Sequence, residues 1–143
     1  MKWSSYLLGI LAILFLASSL RATELIVATT ADVVNGNTLT PDDLKRDPGP
    51  DGISLREAIL ACNNTPGPHT ITFSQTIAGQ VITPDTSLPV ITQGQVAIAG
   101  IQSGDGQPAI TIDARGLPIG GFSVLGSNFA VKRLRFIGLN FGG

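Results

Sequence analysis

The sequence predicts a mainly β fold, a parallel β-solenoid of about three repeats with one helix ahead of it. Three observations favour this class. Short apolar runs recur through the second half of the chain, and Gly, Pro, Asn or Asp separates nearly every pair of them. The composition, with 17 Gly and only 13% charged residues, is typical of a folded protein and not of a disordered one. One stretch before these runs has apolar residues at helical spacing.

Composition excludes several classes of function. Nine basic and ten acidic residues give a net charge of −1, so we expect no basic surface for nucleic acid. The chain has one cysteine, Cys62, and one histidine, His69, which excludes an internal disulfide and a Cys/His zinc site. We therefore expect one domain at most, with no cofactor and no metal.

The first 22 residues have the pattern of a secretory signal peptide. Lys2 precedes the apolar run Tyr6–Leu16, and small residues follow at 17–19 and at Ala22. A membrane-spanning helix needs about 20 apolar residues, roughly twice the length of this run. We assign residues 1–22 as a signal peptide and expect a secreted or cell-surface protein that meets the membrane only during export. A retained membrane anchor is the alternative.

Residues 23–68 are predicted to hold a strand, a loop and a helix. Glu24–Thr30 is rich in β-branched residues and favours a first strand, whereas residues 31–52 have the Pro, Gly and Asp content of a loop. The run from Ser54 to Glu57 is a capping box, in which the serine hydroxyl and the glutamate each bond a backbone N–H at the helix start. The helix is predicted over Ser54–Asn63, with one apolar stripe formed by Leu55, Ala58, Ile59 and Cys62.

Residues 69–143 are predicted to form the repeats of the solenoid. They contain short apolar runs at Thr70–Phe73, Gln80–Thr83, Leu88–Thr92, Gln95–Ala99, Ala109–Asp113, Phe122–Leu125 and Val131–Ile137. Both an antiparallel sandwich and a parallel solenoid fit this spacing. A hairpin dipeptide occurs among these runs only at Asp105-Gly106, which favours the solenoid.

A family resemblance supports this prediction. The stretch Asp51–Asn63 (DGISLREAILACN), followed by Thr70–Ser74 (TITFS), resembles the CSLREA-type module that precedes right-handed parallel β-helix domains. The resemblance extends through Ile110–Gly116 and Leu134–Gly143, although Ile53 stands where the family has cysteine. It implies a right-handed parallel β-helix of about three rungs, closed by the helix across its open apolar end, in an exported bacterial surface protein.

The last residues, LNFGG, offer no polar element that would close a solenoid. We therefore expect a truncated reading frame or a fragment of a longer protein. Further β-helix rungs, or a second copy of the chain by self-association, are then the expected partners at this end.

No pair of carboxylates has the arrangement of a glycosidase site. Asp85, Asp105 and Asp113 are the acids of the repeat region, and none has a partner at the same place of the next repeat. Asp113 ends an apolar run and is expected to accept a backbone N–H at a corner, and Asp105 is expected to lie in a turn. Four loop acids cluster without the order of a calcium loop and are predicted to be solvated: Asp42, Asp43, Asp47 and Asp51.

The remaining candidates also have structural interpretations. Lys132, Arg133 and Arg135 form a basic strip on the last run, which could bind an anionic sugar or lipid headgroup but is more typical of a solvated face. His69 is expected in a loop, Ser54 as a helix cap and Cys62 as a small buried hydrophobe. The sequence Asn63-Asn64-Thr65 matches a glycosylation sequon.

These patterns predict a non-catalytic exported segment, the N-terminal cap of a bacterial surface or secreted adhesin-like protein. Its candidate ligand is a cell-surface or carbohydrate molecule. The alternative is the N-terminal fragment of a β-helix polysaccharide lyase or glycoside hydrolase whose catalytic rungs lie further along. No residue of this chain is assigned a catalytic, cofactor-binding or metal-binding role.

Overall fold

The computed structural model describes residues 22–117 and 122–139. The predicted signal peptide therefore lies, apart from Ala22, outside the described residues, as do residues 140–143 of the apolar end. Within the described part of the chain, no helix is long and apolar enough to cross a bilayer.

Seven short strands and two α-helices make up the described structure. In chain order they are β1 (Thr23–Val27), α1 (Pro41–Arg46), α2 (Leu55–Asn63), β2 (His69–Phe73), β3 (Val81–Ile82), β4 (Val96–Ala99), β5 (Thr111–Asp113), β6 (Ala130–Lys132) and β7 (Arg135–Ile137), with a 3₁₀ turn at Gln75–Ile77. One sheet has the order β1-β2-β4-β6 and the other β3-β5-β7. From β2 onward, successive strands therefore alternate between the two sheets.

The prediction of a mainly β, right-handed parallel β-helix of about three rungs is wrong. The described residues form two small parallel sheets and two helices, with 25% strand and 16% helix, a mixed α/β arrangement without a solenoid. Most strands after β2 are only two or three residues long, because Gly and Pro interrupt the apolar runs soon after they begin. The antiparallel sandwich is not formed either, since all five strand pairs are parallel.

Two predicted strands are replaced by isolated contacts, and a third is divided. The runs 88–92 and 122–125 meet only in a single parallel bridge between Ile91 and Val124. The run 131–137 is split between β6 and β7, which belong to different sheets. Arg133, between them, has φ 56°, a left-handed conformation that ends the first strand and turns the chain toward the second sheet.

Helix α1 was missed and lies in the segment predicted to be a loop. Thr40 is its N-cap and accepts the N–H of Asp43, and Pro41 occupies the first turn, where no intrahelical donor is needed. Leu44 is fully buried on its inner face. The Thr-Pro-Asp-Asp run is the signal that could have predicted this helix.

One apolar core joins helix α2 to both sheets. The predicted stripe of α2 is confirmed, because Leu55, Ala58, Ile59 and Cys62 are all at most 1% exposed. In the larger sheet, strand register stacks Leu25, Ile71, Ile98 and Val131 in one column, and in the smaller sheet it stacks Ile82, Ile112 and Phe136. α2 packs against α1 and against β1, the strand at one end of the larger sheet.

Substitution of Ile59 by alanine is expected to lower the free energy of unfolding by about 2–5 kcal/mol, because the side chain is 0% exposed and truncation leaves a cavity. Leu39→Ala is the matched control, since Leu39 is 69% exposed, and should change it by no more than about 0.5 kcal/mol. Urea unfolding followed by circular dichroism measures both. Equal effects of the two substitutions would mean that α2 does not pack on the core.

Candidate functional site

The run Ser54–Ala58 begins helix α2, and its polar side chains are all held by other parts of the chain. Ser54 is the N-cap, and the predicted capping box is present: the serine Oγ accepts the N–H of Glu57, and Glu57 Oε2 accepts the N–H of Ser54 at 2.8 Å. Both side chains are fully buried. The prediction that Ser54 acts as a cap is therefore confirmed.

Glu57 also binds the loop before α1. Its Oε1 accepts the backbone N–H groups of Asn35 at 2.8 Å and Gly36 at 2.7 Å. The Ser54 hydroxyl lies 2.9 Å from Glu57 Oε2 and 2.9 Å from the carbonyl oxygen of Val33. Among the described residues no lysine or arginine forms an ion pair with Glu57. We call Glu57 and its three partners Ser54, Asn35 and Gly36 the Glu57 hub.

Arg56 binds Asp32, an earlier residue of the same loop, in a largely buried ion pair. Its guanidinium donates to both carboxylate oxygens of Asp32, at 2.9 and 2.7 Å, and the two side chains are 14% and 5% exposed. The guanidinium also donates to the carbonyl oxygens of Thr86 and Ser87. Asp32 in turn accepts the N–H of Asp85. The pair therefore joins α2 to the loop that contains Asp32 and to the segment 85–87.

Because these groups are buried and already bonded, the run offers no reactive atom to a substrate. Ser54 is 0% exposed, and its hydroxyl is engaged with Glu57 and Val33. The Arg56 guanidinium donates hydrogen bonds to four oxygen atoms of the chain itself. The hydrogen bonds of this run hold the start of the helix against two loops.

The acids of the strand region are not brought together. Asp113 ends β5 and accepts the N–H of Arg115, as predicted, and its carboxylate is paired with the Arg115 guanidinium at 2.6 Å. The hydrogen bond from the Arg115 side chain holds the pKa of Asp113 below its usual range. Asp105 lies in a turn, as predicted, where the Ser103 hydroxyl lowers its pKa. Asp85 is exposed and lies neither at the end of β5 with Asp113 nor in the turn with Asp105.

The loop acids also have contacts within the chain. Asp42 is paired with Lys45 at 2.8 Å, and the hydrogen bond from that lysine lowers its pKa. Asp43 is paired with Arg46, and Asp51 accepts the side-chain amide of Asn35. Across the described residues, no group of three or more His, Cys, Asp or Glu side chains is placed to hold a metal ion.

His69 is the first residue of β2, and the expectation that it lies in a loop is wrong. It is 3% exposed, and its Nε2 lies 2.8 Å from the carbonyl oxygen of Thr65. Its Nδ1 and the Thr65 hydroxyl are buried without a hydrogen-bond partner in the described structure. His69 occupies an inward position between Thr23 and Val96 in register, which explains its burial.

Two other candidates on α2 are engaged within the fold. Cys62 is buried, as predicted, and burial raises the pKa of its thiol to about 12, so the thiol stays neutral and weakly nucleophilic. The sequon asparagine, Asn63, donates its side-chain amide to Val90 O at 2.7 Å and accepts the N–H of Thr92. A glycan on that nitrogen would displace the first of these bonds in the folded protein.

The basic strip is divided by the fold. Lys132 lies on β6, Arg135 on β7 in the other sheet, and Arg133 at the corner between them. Arg135 is exposed, so its predicted outward orientation is confirmed. Beside it lies a polar groove of about 570 Å³, whose lining includes Gln75, Gln102, Asp105, Gln107, Thr111 and Arg135. The sequence did not predict this groove, because its walls come from three separate segments.

Glu57→Gln is expected to lower the free energy of unfolding by about 2–4 kcal/mol, since one carboxylate oxygen becomes an amide NH₂ that faces a buried N–H donor. Glu24→Gln is the matched control, because Glu24 is exposed and accepts one bond from Thr72. The two variants are compared by urea unfolding. If Glu57→Gln proves as stable as Glu24→Gln, the hub does not hold the loop.

No protein-family model matches the chain, and neither a curated protein nor a solved structure is significantly similar to it. Its function is therefore inferred from the contacts and surfaces of its own residues.

Proposed function

We propose that the protein is a non-catalytic, exported capping segment, the N-terminal end of a bacterial surface or secreted adhesin-like protein. In this role the two helices cover the β1 end of the larger sheet. The opposite end receives further strands of the same protein, which extend both sheets.

The observation that carries the proposal is the contrast between the two ends of the larger sheet. Leu25, Ile71 and Ile98 form one column and are each 0% exposed, whereas Val131 continues the column and is 42% exposed. At the first end, β1 is packed against α1 and α2. At the other end, among the described residues, β6 pairs only with β4 and β7 only with β5.

The open end has the properties of a surface that strands cover. Edge strands present unpaired N–H and C=O groups that favour pairing with another strand. Phe122 packs against Phe129 and Phe136 with ring centroids 5.6 and 5.7 Å apart, and all three rings are only partly buried. Two further strands, with apolar residues in register with Val131 and Phe136, would bury this cluster and satisfy the edges.

The contacts of the polar run Ser54–Ala58 support a structural role over a catalytic one. Each polar side chain of Ser54–Ala58 bonds the chain itself, so the run holds the closing helix in place. This is the role that the resemblance to CSLREA-type modules implies for the helix. A buried, neutral thiol at Cys62 also suits an exported protein, because it is protected from oxidation outside the cell.

Without following strands, the open end is expected to drive self-association of the full chain. Sedimentation velocity at micromolar concentration should show dimers or larger species, and Val131→Glu should shift the population to monomer because it places a charge on the apolar end. Ile26→Glu is the matched control, since Ile26 is 50% exposed on β1 and lies away from this end. A monomeric wild-type chain, or equal effects of both substitutions, would contradict the capping role.

Export is tested separately by expressing the full chain in a bacterium and sequencing its N-terminus by mass spectrometry. We expect a mature protein beginning at Thr23 outside the cytoplasm. Leu11→Arg interrupts the apolar run and should leave an uncleaved chain inside the cell, whereas Val131→Glu should be exported normally. Wild-type protein retained in the cytoplasm with Met1 intact would overturn the proposed location.

A further inference from the structure

A hairpin at residues 101–109, with an antiparallel bridge between Gln102 and Pro108, forms one wall of the polar groove. Ser103 N donates to Gln107 O at 2.8 Å, Gly106 N to Ser103 O at 2.9 Å, and Ala109 N to Ile101 O at 2.8 Å. The hairpin projects between β4 and β5 and is closed by its own backbone bonds. These bonds hold the hairpin backbone beside the smaller sheet.

The floor of the groove is the outer face of that sheet. Thr111 on β5 and Arg135 on β7 are direct partners in register, so they lie one strand spacing apart, about 4.8 Å. Beside the same arginine, a recess of about 350 Å³ is lined by Gln107, Pro108, Leu134 and Arg135, which lengthens the groove. At Gly79 and Gly104 there is open space where a side chain would stand, so the groove is accessible from its rim.

The groove offers one cation, one oriented carboxylate and several neutral polar side chains. Arg135 forms no ion pair among the described residues, so its guanidinium is available to an anion. Asp105 Oδ1 accepts the Ser103 hydroxyl and the N–H of Gln107, which leaves Oδ2 for a ligand donor. The Gln75 and Gln107 amides each supply both donors and acceptors.

From this arrangement we infer that the groove binds an anionic saccharide, a chain of sugars that carry carboxylate groups. The sugar carboxylate pairs with the Arg135 guanidinium, which matches a planar carboxylate with two parallel hydrogen bonds. Sugar hydroxyls donate to Asp105 and exchange bonds with the amides and with Thr111. This inference does not depend on whether further strands follow β6 and β7.

A saccharide fits the lining better than an acidic peptide does. The lining combines amides (Gln75, Gln102 and Gln107) and hydroxyls (Ser103 and Thr111), which both donate and accept as the hydroxyls of a sugar do, with the apolar side chains of Ala78, Ile101, Pro108 and Ala109. Between its carboxylates, an anionic saccharide also brings hydroxyl donors to Asp105, which the side chains of an acidic peptide lack.

The test is isothermal titration of the full chain with hexagalacturonate, using its fully methyl-esterified form as the uncharged probe. Wild-type protein should bind the acid and bind the ester at least tenfold more weakly. Arg135→Gln should weaken binding of the acid about tenfold or more, and Gln107→Ala should weaken it measurably with the fold retained by circular dichroism. Arg46→Gln, which removes an exposed positive charge on α1 that is paired with Asp43 and lies outside the groove, should bind as wild type does.

Absence of wild-type binding would overturn the inference, as would equal losses in Arg135→Gln and Arg46→Gln, which would indicate general charge attraction. Hexaglutamate bound as tightly as hexagalacturonate would show that the groove recognises charge and not sugar. Self-association at the open end is measured without any saccharide. Failure of this inference is thus distinguishable from failure of the capping proposal.

Discussion

The structure depends on one buried carboxylate. Glu57 is 0% exposed and holds the N–H groups of Asn35, Gly36 and Ser54. A buried carboxylate is tolerated only when its lone pairs are filled by donors, and here backbone groups fill them. Gly36 can deliver its N–H because it has no side chain: a Cβ there would lie 2.8 Å from Leu44 and from the backbone of Pro48. The hub therefore fixes the loop and the start of α2 together.

The orientation of α2 follows from this hub and from the ion pair between Arg56 and Asp32. With its first turn held at both Glu57 and Arg56, the helix can present only one face to the sheets, and that face carries Ile59 and Cys62. The Arg56 and Asp32 side chains are 14% and 5% exposed, so removing either partner leaves the charge of the other largely uncompensated. The polar contacts thus decide where the apolar stripe lies, and the stripe in turn covers β1. The β1 end of the larger sheet is therefore covered by this helix, whereas the β6 end is not.

Local signals predicted the elements whose contacts are local. Helix α2 was found from its capping box and its apolar spacing, both contained within ten residues, and Asp113 was placed at a corner by its position after an apolar run. The predicted fold class was wrong because the sequence does not show how many residues of each apolar run pair with a neighbouring strand. Gly, Pro and the left-handed conformation of Arg133 make these strands shorter than the runs. The Arg56–Asp32 pair joins residues 24 positions apart. The residues next to Arg56 and Asp32 in the sequence give no sign that these two side chains bind each other.

The groove, too, depends on backbone contacts that a residue pattern does not show. Gly100 follows β4 and donates its N–H to Lys132 O at 2.9 Å, and a Cβ at Gly100 would overlap the carbonyl oxygen of Arg133. That close approach is possible only for glycine, and it places the Arg133 corner directly against the end of β4. Arg135 is two residues beyond this corner, and β7 is held against β5 by its own backbone bonds, such as that from Arg135 N to Ile110 O. The position of Arg135 therefore depends on a close contact at the end of β4 as well as on the pairing of its own strand.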